Sequence, residues 1–133
     1  MTKHEDFYEE ILSDVHFAIR RWKTLINHME NEIVFLDRLL NSDIISKVNT
    51  TTITERLKQF KKRIKTSSDI LIDFKLEVAG HAKRLEKATE GECFIEEEQF
   101  LERHSELKGR FEKFCFDFKE LRARVLLQTG SVL

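Results

Sequence analysis

Five histidines are the side chains here best suited to chemistry, and two of them interrupt otherwise apolar rows. His81 falls within the series Ile53, Leu57, Phe60, Ile64, Leu71, Phe74, Val78, Leu85 and Ala88, whose steps follow an alternation of four and three. His104 interrupts Phe100, Leu107, Phe111, Phe114, Phe118, Leu121 and Val125 in the same way. Folding the chain back on itself at Gly91 sets His81 beside position 101 and His104 beside position 78. The two imidazoles then lie about one helical turn apart on neighbouring helices. His16 falls at a similar level of the first helix, and Glu77 stands one turn from His81 on nearly the same face. Imidazole and carboxylate together suit zinc, iron or copper. Bundles that hold a di-iron centre, however, carry Glu-x-x-His on two helices, and no such spacing occurs in this chain. The preferred expectation is a hydrogen-bonded polar layer that fixes helix register, with no metal and no cofactor.

The other reactive side chains point away from catalysis. Glu32 is a carboxylate in the apolar row of the first helix, and the same reflections bring it near Arg122, with His28 one turn before it. An ion pair is the expected use. Cys93 and Cys115 are roughly 33 Å apart if they share a helix, too far to bond within one molecule. The run His104-Ser105-Glu106-Leu107-Lys108-Gly109 departs from the histidine phosphotransfer pattern, whose leucine, lysine and glycine each come one place earlier. Gly109 is also about 140° round the helix from His104 and leaves no opening beside it. No Ser-His-Asp order, glycine-rich phosphate loop or His-Glu-x-x-His occurs, so an enzyme is not expected.

Long helices must position these residues. The 133-residue chain is 41% hydrophobic and 35% charged, with no proline and four glycines, a composition suited to helices and too apolar for disorder. In the first segment Tyr8, Val15, Trp22, Met29 and Leu36 recur every seven residues. Ile11, Ala18, Leu25 and Leu39 make a second row, and Leu12, Ile19, Ile26, Ile33 and Leu40 a third. Such a wide stripe faces two partners. Helices are predicted at about 5–41, 53–89 and 92–128. Thr52-Ile53-Thr54-Glu55 has capping-box spacing, Gly91 suits a left-handed end, and the tail after Gln128 is expected to fray. Glu92, Glu96, Glu97 and Glu98 suit the start of the last helix. The expectation is one all-α domain over residues 1–133, an up-down-up antiparallel bundle of three long helices with coiled-coil-like packing.

Charge and surface apolarity supply the functional expectations. Residues 1–14 and 86–106 hold 13 acidic and 3 basic side chains, net −10; the remainder hold 11 and 20, net +9. The rod is thus acidic at one end. Lys58, Lys61, Lys62, Arg63 and Lys65 form the densest basic stretch, a possible anion-binding face within 56–65. Its aromatic, Phe60, is a seam residue that cannot stack on bases, so nucleic acid is not the expected partner. Phe17, Val34, Ile72, Leu76 and Phe116 fall at outward positions, and Phe17, Ile72 and Leu76 are the candidates for self-association. Ser131-Val132-Leu133 has the shape of a carboxyl-terminal strand-addition ligand. No apolar run is long enough to span a bilayer, and the acidic start lacks a signal peptide's apolar core, so a cytoplasmic protein is expected. The leading expectation is a non-enzymatic interaction or scaffold protein, forming a homo-oligomer (a dimer) or binding another helical protein. The alternative is a metal- or small-ligand-binding bundle using His81 and His104. The third is a nucleic-acid-associated protein using the basic stretch.

Overall fold

The computed structural model describes residues 3–42, 45, 51–90 and 97–132. They form three long helices, α1 (Lys3–Leu40), α2 (Thr51–Glu90) and α3 (Glu97–Val132), with no strand among them. The pattern that builds α1 is visible in what it buries. Leu12, Val15, Ile19, Trp22, Ile26, Met29, Ile33, Leu36 and Leu40 step by three and four and join one core. α2 contributes Leu57, Ile64, Leu71, Phe74, Val78 and Leu85, and α3 contributes Phe100, Leu107, Phe111, Phe114, Phe118, Leu121 and Val125. None of the described helices is long and apolar enough to cross a membrane.

Side-chain pairs fix the arrangement. Glu30 meets Lys75 and Trp22 faces His81, so residue numbers fall along α2 as they rise along α1. Phe74 meets Phe111 and Arg56 meets Gln128, so they also fall along α2 as they rise along α3. Trp22 with His104, and Glu32 with Arg122, show α1 and α3 rising together. The backbones of α1 and α2 approach each other most, while α3 stands off from both. Side-chain bulk explains this: α3 packs with Phe100, Phe111, Phe114 and Phe118, and large contact residues widen interaxial spacing. In consequence the second apolar row of α1, Ile11, Ala18 and Leu25, is only partly buried.

The helix ends differ from the sequence reading at two places. α2 begins at Thr51, so Thr52 is already helical and is not the capping residue. The expected start of α3 at 92 lies outside the described residues, which resume at Glu97. α3 also continues past Gln128, where Thr129 extends the buried row beyond Val125 and its Oγ1 donates to the Val125 carbonyl at 2.8 Å. The hydroxyl is thereby satisfied without water, and α3 continues to Val132. At the other connection α1 ends as Asn41 donates from Nδ2 and its backbone amide to the Asp37 carbonyl, at 2.8 and 3.1 Å. Gly91, Glu92, Cys93, Glu96 and Leu133 lie outside the described residues.

Candidate functional site

His81 and His104 meet across α2 and α3. His81 Nε2 and His104 Nδ1 are 2.9 Å apart, one donating and the other accepting. The rings also stack at 5.1 Å between centroids. Phe100 covers His81 at 4.8 Å and Trp22 covers His104 at 5.0 Å. Both helices place these imidazoles where the heptad rows would otherwise set aliphatic side chains. His81 is only 1% exposed, and its Nδ1 is the one buried side-chain nitrogen or oxygen without a partner among the described residues.

That enclosure keeps the pair neutral. Burial pushes the His81 imidazole down to about 4, and the neighbouring His104 and Arg84 act in the same direction. Burial lowers His104 too, with help from the Lys108 charge. Removing an imidazolium from water costs free energy that two like groups cannot return to each other.

Glu77 and His16 do not join the layer. Glu77 accepts two hydrogen bonds from Arg110, at 2.6 and 3.1 Å, and these hold its carboxyl below the usual carboxylate range. His16 is exposed and lines a separate groove between α1 and α2, beside Arg20 and Ala82. Trp22, not a polar residue, is what α1 brings to the pair. Among the described residues no group of three or more His, Cys, Asp or Glu side chains is placed to hold a metal ion. Arg122 Nε donates to Glu32 at 2.6 Å, while His28 stands 3.8 Å from the other carboxylate oxygen.

The basic stretch of α2 is divided. Arg63 lines a notch between α2 and α3 with Arg56, Arg124 and the Phe60 ring. Lys58 lies 4.0 Å from Glu55, and Lys62 and Lys65 are exposed, while Lys61 is half-buried. The outward apolar residues are divided as well. Phe17 and Phe116, 72% and 63% exposed, both line a groove of about 790 Å³ between α1 and α3. Its walls carry the half-buried row Ile11, Ala18 and Leu25 of α1, with Leu101 and Cys115 of α3. Trp22 and His104 also line it. Ile72 and Leu76 are exposed on α2 and do not line this groove. The sequence had a signal for it: a second apolar row on α1 whose partner row on α3 is interrupted by Lys108.

Comparison of the chain with protein-family models, with curated proteins and with solved structures finds no match.

Proposed function

We propose that this chain is a non-enzymatic interaction protein that self-associates through the groove between α1 and α3. The observation that supports this reading is the pairing of exposed Phe17 and Phe116 with the half-covered row Ile11, Ala18 and Leu25 in one groove. Apolar side chains gathered in one groove, here bordered by Asp14, Arg21, Lys108, Glu112 and Lys119, mark an interface, whereas scattered exposed residues do not. Burying roughly 100–150 Å² for each phenylalanine would contribute several kcal/mol before association costs are subtracted.

Charge argues for a second copy as the occupant, with its helices reversed. Among the described residues, 3–14, 86–90 and 97–106 at one end carry 11 acidic and 3 basic side chains, net −8, and the remainder carry 10 and 19, net +9. A reversed copy sets each acidic end against basic surface, whereas an aligned copy sets the two acidic ends together. A closed pair of this kind uses the same groove on both chains. The proposed setting is cytoplasmic. There Cys115, whose thiol burial pushes up, stays reduced within the interface.

Light scattering at micromolar concentration tests the proposal. The expected mass is that of two 15.9 kDa chains at low salt, with partial dissociation as salt screens the charge pairing. A single-chain mass at both low and high salt rejects self-association.

A further inference from the structure

We propose that a second notch, between α2 and α3 on the flank of the histidine pair, binds a compact inorganic oxyanion of the phosphate type. The notch has a volume of about 250 Å³, and Glu77, His81, Arg84, Arg103, Glu106 and Arg110 line it. This inference is independent of self-association, because the notch shares neither Phe17 nor Phe116 with the α1/α3 groove.

Three observations converge on this place. The first is the unpartnered Nδ1 of His81, an almost fully buried polar atom on a residue that lines the notch. A buried nitrogen with no partner is costly, and a ligand oxygen removes the cost. The second is cationic. Arg110 is committed to Glu77 and Glu106, but Arg84 and Arg103 make no ion pair or hydrogen bond among the described residues. Arg84 is near enough for its charge to act on both His81 and Glu77. Planar guanidinium groups recognise phosphate oxygens through paired N–H donors. The third is the histidine relay. When His81 Nδ1–H donates to the anion, its Nε2 accepts from Nδ1–H of His104 across the 2.9 Å contact, so one bound anion sets both tautomers.

The same geometry couples binding to a proton. Glu77 and Arg84 of α2 and Arg103, Glu106 and Arg110 of α3 line the notch with the imidazole; His104 bonds its Nε2, with Lys108 acting on His104; α1 presents the Trp22 ring. Arg84 and His104 disfavour the His81 imidazolium in the empty site, and an anion at Nδ1 reverses that balance. For an anion that stays in one protonation state, binding through His81 therefore tightens as pH falls.

Imidazole ¹H–¹⁵N spectra, recorded with inorganic phosphate and with sodium chloride at matched ionic strength, test this. The expected result is a saturable shift of the His81 signals in phosphate alone, with the His81 titration midpoint moved upward. Arg84→Gln and Arg103→Gln replace exposed side chains, so the fold is retained, and each should weaken binding by about tenfold or more. Glu106→Gln should tighten it by removing a repelling carboxylate. Glycerol 1-phosphate forms a second arm: a response to both compounds admits an ester-borne phosphate, and a response to inorganic phosphate alone confines the site to the free ion. His81 signals that ignore phosphate, or that respond equally to chloride, overturn the proposal. So does unchanged affinity in both arginine variants.

Discussion

Acidification from neutral pH to about 4 should remove on the order of 3 kcal/mol of folding free energy through His81 alone. In the unfolded chain this imidazole takes its proton near the ordinary value of 6.5, whereas in the bundle it resists until about 4. Between those values the unfolded chain binds more protons than the folded one. Stability is thus complete above 6.5, falls as pH drops through this window, and levels off below it. His104 is shifted in the same direction and deepens the loss. Glu77, held below its ordinary 4.5 by Arg110, begins to give up its contribution only near the foot of the histidine window and loses it below that. Urea denaturation at a series of pH values measures the effect. In a His81→Leu/His104→Leu variant the slope between 6.5 and 4 should vanish. Stability at neutral pH should hold or rise in that variant, because the desolvation cost of the polar pair disappears with it. A profile that stays flat in the parent chain would mean that the pair is hydrated in solution.

Phe111→Ala should cost about 3–5 kcal/mol, a large fraction of the stability of a domain this size. Phe111 is 1% exposed and joins all three helices, meeting Trp22 of α1 at 6.0 Å and Phe74 of α2 at 5.4 Å. Its loss leaves a cavity at the point where α3 is held away from the other two helices. The cavity also removes an edge contact to Phe74, whose ring carries Arg110 at 5.7 Å. Thermal and urea denaturation should both register the loss. Leu127→Ala is the control: that side chain is 78% exposed, and its removal should change stability by less than about 0.5 kcal/mol.

The seams were legible because burial follows heptad spacing. The α1 series Leu12 to Leu40, and the interruptions at His81 and His104, can be read from position alone. Reflection at Gly91 also places the two histidines within about one turn of each other, since height along a helix scales with residue number. Rotation is what the sequence hid. His16 and Trp22 lie at neighbouring heights of α1, yet His16 turns to the α1/α2 groove and Trp22 covers the histidine pair. In the same way Phe17 counts as outward in the heptad, but its position is indifferent to which groove it borders. That choice follows from the aromatic bulk of α3, which holds one groove open and places Phe17 with Phe116 rather than with Ile72 and Leu76. Arg110 reached Glu77 because two guanidinium nitrogens match two carboxylate oxygens, a pairing that depends on side-chain reach more than on seam position.

The most direct test of the groove as the self-association surface is the light-scattering mass of two double variants at one micromolar-range concentration. Phe17→Ser with Phe116→Ser removes the apolar flanks of the groove, and Ile72→Ser with Leu76→Ser removes the apolar pair on α2. All four side chains are exposed within the chain, so both variants should fold. The account predicts that the first falls to the 15.9 kDa mass of one chain while the second keeps the mass of two. A two-chain mass in the Phe17→Ser/Phe116→Ser variant, with its loss in Ile72→Ser/Leu76→Ser, would contradict it and move the interface to α2.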